Sequence, residues 1–234
     1  MSSFEVSSLR CPRCETTFEC GTASTINVTR MPWAKEQILS GIFHRFDCPS
    51  CAEVIRLDRP FAYIDLEDLR FVQVLPLAVI DGWPEHEEIT EQALHMAADP
   101  DPLARDLPGR FHIRTCFGTH QLADKIRIWD AGLDDALVEL LKMELLLAQP
   151  ELRARPLVEL TVEQITLSQD RLVIEAWNRD GDPDVRAYAA ALARYRELSA
   201  DAPRLAELFP GLFHRPFRSF RRLVREPATP PPVP

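Results

Sequence analysis

The distribution of apolar and polar positions divides the chain into stretches of two-residue and of helical periodicity. Residues 1–10 are largely polar and predict order only from about Leu9. Phe18 to Thr29 is rich in threonine and β-branched residues and predicts a pair of strands broken at Gly21. Met31 to Leu39 predicts a short helix, with Pro32 near its start and Gly41 just past its end. Phe43 to Phe46 predicts another strand, and apolar runs between Val54 and Val79 predict several more, separated by acidic turns. Glu85 to Ala98 predicts an exposed helix that Asp99-Pro100-Asp101-Pro102 ends.

The second half carries longer periods. Phe111 to Cys116 predicts a strand, and Gly118-Thr119 starts a helix through Trp129. Gly132 opens a further helix whose first turn holds Asp134 and Asp135, where carboxylates complement the helix dipole. Its leucines, Leu133, Leu137, Leu140, Leu141, Leu145 and Leu147, make a stripe too wide for a surface helix, so it is expected in the core, with a face toward another subunit as the alternative. Pro150 ends it. Val158 to Leu167 and Arg171 to Trp177 predict two strands joined by a Ser168-Gln169-Asp170 turn. Asn178 to Gly181 predicts a loop, Asp182-Pro183 the cap of a helix running to about Leu198, and Pro203 to Phe209 a shorter helix. The tail PATPPPVP is polyproline-prone and predicts disorder.

Composition narrows the class. The chain has 234 residues, 46% hydrophobic, which suffices for a core of its own. A net charge of −9 argues against a protein that coats nucleic acid, because neutralising phosphates needs a basic surface. Between residues 81 and 110 eight carboxylates oppose only Arg105 and Arg110, which predicts a solvated acidic face. One basic-aromatic patch stands against this balance: Arg215, Arg218, Arg221, Arg222 and Arg225, interleaved with Phe217 and Phe220. It suits phosphate and base stacking, but the preferred expectation is that it balances the acidic 81–110 segment within the fold. The start lacks the charged-then-apolar pattern of a signal peptide, and no stretch reaches the length of a membrane span. A cytoplasmic, reducing setting is therefore expected, where paired cysteines bind metal more often than they cross-link.

The chemistry is concentrated in two copies of one tetrapeptide, Cys11-Pro12-Arg13-Cys14 and Cys48-Pro49-Ser50-Cys51. Four thiolates from two C-x2-C pairs make the tetrahedral set of a structural zinc ion. Cys11, Cys14, Cys48 and Cys51 are the predicted ligands of one Zn2+ in a zinc-ribbon-like module. Four thiolates leave no open position, so the metal is assigned a folding role. Cys20 and Cys116 are expected as buried thiols, His86 and His95 as solvated side chains, and His44 as a bystander close to Cys48. His112, Cys116, His120 and Asp124 offer a nucleophile-like set whose spacing matches no established signature. The sequence contains no Walker loop, G-x-G-x-x-G, G-x-S-x-G or H-E-x-x-H motif, and it identifies no catalytic residue.

Beyond the cysteines, the chain resembles the bacterial CpXC family. Ser24-Thr25-Ile26-Asn27-Val28 with Pro32, Lys35 and Leu39-Ser40-Gly41 is similar to the family's segment between the knuckles. Pro60 to Asp65 is similar to a tyrosine- and aspartate-containing strand. Leu122 to Ile126, Gly132-Leu133-Asp134-Asp135 and Glu139 to Lys142 resemble the family's E-K-I…G-L-D-D…E-x-x-K block. Glu15 and Ala52 depart from such knuckles, where glycine commonly supplies a positive φ, and Asp124 stands where the family tends to have glutamate. The resemblance implies a zinc-ribbon-like module without assigned catalytic residues.

The fold class expected is α+β: a zinc-ribbon-like module over 1–59, an α+β remainder over 60–150, a C-terminal strand pair with helices over 151–226, and a disordered tail over 227–234. The expected role is contact with another protein. The alternative is a nucleic-acid-associated regulator using the ribbon or the arginine-rich end.

Overall fold

Residues 2–98, 108–155, 158–179 and 185–226 are described by the computed structural model. The fold is α+β, and the chain separates into two compact units, Met1–Ala123 and Asp124–Pro234. The first unit is built on a mixed sheet in the order β1 (Ser3–Arg10), β2 (Thr17–Asn27), β5 (Phe61–Asp65), β6 (Arg70–Leu75) and β7 (His112–Phe117). The intervening β3 (Arg45–Asp47) and β4 (Val54–Arg56) form a separate antiparallel hairpin. Alternation explains the sheet's inner face: in β5, Phe61, Tyr63 and Asp65 are buried and the residues between them less so.

Two expectations about this region are corrected. Order begins well before Leu9, because Ser3–Arg10 is a strand that pairs antiparallel with β2 along its length. Phe18 to Thr29 is not a strand pair: Thr17–Asn27 is one continuous strand through Gly21. A polar strand has no apolar alternation to announce it, and its partner supplies the order. Helix α1 (Pro32–Leu39) takes Pro32 in its first turn, is followed by Gly41 at φ +69°, and buries Ala34 and Ile38 one turn apart. Helix α2 (Trp83–Ala98) packs on β7. It is not an exposed helix throughout, since Trp83, Glu87 and Thr90 form a buried face at spacings of four and three. The turn expected at residues 99–102 lies outside the described residues.

Helix α3 (Gly118–Asp130) carries the chain into the second unit. There α4 (Asp135–Ala148) starts at Asp134, whose carboxylate accepts the Ala136 N–H at 2.7 Å. Every residue from Asp135 to Lys142 is buried, so the leucine-rich helix is a core element. Val138 packs with the strands β8 (Val158–Thr166) and β9 (Arg171–Asn178), while Leu137, Leu140 and Leu141 pack with Leu198, Leu212 and Leu223. The short helices α5 (Pro150–Arg153), α6 (Leu192–Ala200), α7 (Ala202–Leu208), α8 (Pro210–His214) and α9 (Phe220–Arg225) complete the unit.

The helix expected from Asp182 to Leu198 is corrected in part; the cap and part of the preceding loop lie outside the described residues. Arg186–Ala191 is a strand, β10, paired antiparallel with β9, and only Leu192–Ala200 is helical. An alanine run favours helix by propensity, and pairing with β9 overrides it. The proline-rich tail also lies outside the described residues.

Candidate metal centre

Each C-P-x-C tetrapeptide is the tip of an antiparallel hairpin. The first joins β1 to β2 and the second joins β3 to β4, with Arg10 opposite Thr17 and Asp47 opposite Val54. The turns match bond for bond. Cys11 N–H donates to the Thr16 carbonyl at 2.9 Å and Glu15 N–H to the Cys11 carbonyl at 3.0 Å; Cys48 N–H donates to Glu53 at 2.8 Å and Ala52 N–H to Cys48 at 2.9 Å. Proline at the second position presets φ and has no N–H to leave unpaired. The residue after each second cysteine then takes a left-handed conformation, Glu15 at φ +62° and Ala52 at φ +57°.

Facing one another, the two tips bring all four sulfurs within 4.8 Å. Cys11 Sγ lies 3.6 Å from Cys51 Sγ, and Cys14 Sγ lies 3.6 Å from Cys48 Sγ. These separations are far longer than a disulfide of about 2.05 Å. They approach the edge of about 3.8 Å that a tetrahedron of Zn–S bonds of about 2.3 Å requires. The residues therefore fit a tetrahedral thiolate-bound ion. Cys11 and Cys48, the first of each pair, are buried at 1% and 3% exposure, while Cys14 and Cys51 form the outer side.

Crowding four thiols divides their acidities. Hydrogen bonding from Thr16 brings Cys14 down to about 6. The Glu53 backbone works to lower Cys51, but desolvation and the neighbouring thiols outweigh it and push Cys51 up to about 12. A cation at the centre removes this conflict by favouring the thiolate at every corner.

The other sequence candidates are placed elsewhere. His44 is not in the sulfur cluster: its Nε2 accepts the Ala23 N–H at 2.9 Å, and its ring stacks on Phe43. Cys20 and Cys116 are buried thiols, Cys20 donating to the Ser7 carbonyl at 3.5 Å, with burial pushing its pKa up and keeping it protonated. His112 and Cys116 sit four residues apart on β7, about 13 Å along an extended strand, so they do not form a nucleophile and its base. Asp124 is occupied in a buried ion-pair network. His86 is half-buried with its ring edge to Phe117, not simply solvated, and the side chain of His95 lies outside the described residues.

Three side chains of the arginine-rich end pair with carboxylates of the second unit. Arg218 pairs with Asp135 at 3.1 Å, Arg221 with Glu159 at 2.6 Å and Arg222 with Glu226 at 3.0 Å.

Sequence reasoning missed what the G-L-D-D…E-x-x-K block does. Lys142 Nζ donates to Asp124 at 2.6 Å and to Glu139 at 2.8 Å, and Lys125 donates to Glu139 at 2.7 Å. The remaining oxygens accept backbone N–H groups, Asp124 from Val162 at 2.5 Å and Glu139 from Phe220 at 2.7 Å. Desolvation works against charge on Lys142, yet Asp124 and Glu139 raise its basicity, and the two lysines hold Glu139 below its ordinary range. The i, i+3 spacing of Glu139 and Lys142 was the visible signal, although in a sequence it reads equally as a surface pair.

Set against known proteins, residues 9–142 match the family described as CpXC protein. That span holds the four cysteines, Asp124, Lys125, Glu139 and Lys142. No curated protein and no solved structure matches the chain.

Proposed function

The chain belongs to the CpXC family, whose match covers more than half of its 234 residues, and on that premise we propose that it is a zinc protein acting in the cytoplasm through contact with another protein. The observation that carries the metal reading is the separation of the four sulfurs, two pairs at 3.6 Å and all within 4.8 Å. Thiolate-only sets favour zinc or iron–sulfur centres, and one tetrahedral ion matches the size of this cluster. Cys11, Cys14, Cys48 and Cys51 would fill the coordination sphere. Bound zinc then supplies cross-linking of the two hairpin tips, and its binding energy is folding energy. Native mass spectrometry of freshly purified protein should give one zinc per chain; iron, or no metal, would remove the assignment.

The contact role is favoured over the nucleic-acid alternative by the state of the arginine-rich end. Arg218, Arg221 and Arg222 have side chains only 15%, 17% and 4% exposed and are engaged with carboxylates. Such groups contribute little to neutralising phosphates. No helix among the described residues is long and apolar enough to cross a membrane. Affinity capture from the native host should enrich the same protein partner with the wild type and lose it with a zinc-free Cys48→Ser/Cys51→Ser variant. A salt-sensitive shift of labelled DNA or RNA, lost on neutralising Arg218, Arg221 and Arg222, would favour the alternative instead.

A further inference from the structure

We propose that the pocket between the β1–β2 face, α1 and β3 binds a free aromatic α-amino acid. The pocket has a volume of about 430 Å³ and lies within the first unit, in the size range of small-ligand sites. Its apolar lining includes the aromatic residues Phe4, Trp33 and Phe43 beside Ile42. Phe4 and Trp33 remain 49% and 42% exposed, which leaves ring surface available to a stacking partner.

The polar lining has unspent charge capacity. His44 is 7% exposed and lines the pocket. Because Nε2 accepts the Ala23 N–H, the neutral ring carries its proton on Nδ1. Burial, with help from Arg59, pushes His44 down to about 4 and keeps it neutral. Nδ1 has no hydrogen-bond partner and is itself closed off from solvent, so His44 contributes a neutral wall to the pocket and no contact for a ligand's polar groups.

Arg45 and Asp47 also line the pocket. They are two residues apart on β3 and hence on one side of it. Both are exposed, and neither side chain has an ion pair or hydrogen bond among the described residues. With His44 neutral, the lining carries one positive and one negative group about 7 Å apart along the strand. A simple carboxylate leaves Asp47 unmatched, and a simple amine leaves Arg45 unmatched. A zwitterion with an aromatic side chain answers both: carboxylate to Arg45, ammonium to Asp47, ring to the aromatic walls.

Zinc-loaded full-length protein, its metal content checked, is titrated by calorimetry with L-phenylalanine. Saturable binding with a dissociation constant at or below about 1 mM is expected. L-alanine, N-acetyl-L-phenylalanine and L-phenylalaninamide should each bind at least about fivefold more weakly, having lost the ring, the ammonium and the carboxylate respectively. Arg45→Ala should remove the advantage of phenylalanine over its amide, and Asp47→Ala the advantage over its N-acetyl form. Both positions are exposed, so circular dichroism and zinc content should stay unchanged. Absence of binding by zinc-loaded wild type, or equal binding of phenylalanine and both blocked forms, overturns the proposal. Because zinc content is measured separately, that failure leaves the metal assignment standing.

Discussion

Glu15 and Ala52 each take a left-handed backbone, at φ +62° and +57°, a conformation that costs an L-residue roughly 1–2 kcal/mol and glycine almost nothing. Glycine's extra freedom in the unfolded chain offsets part of that gain. Glu15→Gly and Ala52→Gly are therefore each expected to raise the stability of the zinc-loaded protein by about 0.5–1 kcal/mol. The ion pair that Glu15 makes with Arg10 is exposed at 67% and 74% and its loss should not cancel the gain. Urea unfolding of each variant decides; destabilisation would mean that the knuckle does not relax with glycine.

His44 sets a pH dependence at the same scale. Its folded value of about 4 lies below the ordinary 6.5, so between those values the unfolded chain binds the extra proton. Stability is thus complete above about pH 7 and falls as the pH drops from about 6.5 towards 4, by at most about 3 kcal/mol. His44→Gln keeps an acceptor for the Ala23 N–H without titrating. Its loss of stability between pH 7.5 and 5.0 should be smaller than that of the wild type, the thiols contributing equally to both. Parallel losses would show that His44 is not held neutral.

Among the elements, α4 depends on an interior charge network, and the magnitudes separate it from the surface ion pairs. Lys142→Met leaves Asp124 buried at 2% exposure without its cation and should cost about 3–5 kcal/mol. Adding Asp124→Asn, which removes the stranded charge and still offers an oxygen to the Val162 N–H, should recover most of that loss, a coupling that a double-mutant cycle measures. Arg194→Met breaks an equally short contact, 2.6 Å to Glu144, but its partners are 47% and 43% exposed, and the cost should stay below about 1 kcal/mol. A cost for Lys142→Met near that of Arg194→Met would mean that water reaches the network.

The same elements explain what the sequence could reveal. Helix α4 was legible because Asp134 and Asp135 mark its start, Asp134 as the cap and not as a first-turn residue, and its leucines recur at helical spacing. Helix α1 was legible from Pro32 and Gly41, and the cysteine set from spacing alone. Strand β1 was hidden because S-F-E-V-S-S-L-R has too few apolar positions, and β10 because Ala187, Ala189, Ala190 and Ala191 favour helix locally. In both, the deciding term is a neighbour strand remote from the local pattern. The ion network was hidden for a related reason: charge in a helix predicts solvent until its partner, here Asp124 eighteen residues before Lys142, is placed beside it.

At the scale of the whole molecule, all four cysteines fall in the first unit, whereas the core of α4, β8 and β9 lies in the second. The knuckle hairpin β3–β4 has only three residues per strand, too little to be stable alone. On the proposed zinc reading, the ion supplies much of its stability. The second unit contains a large apolar cluster, including Val138, Leu160, Val162, Leu172 and Ile174, that owes nothing to thiols. Metal removal should accordingly be felt locally. After treatment with a strong chelator under reducing conditions, hydrogen exchange should accelerate by more than about tenfold in Cys11–Thr16, β3, Cys48–Glu53 and β4. Exchange in β8 and β9 should stay within about twofold of the loaded protein. Loss of protection in both units together would show that the metal sustains the entire fold, and unchanged protection in the knuckles would show that the hairpin tips hold their shape without an ion.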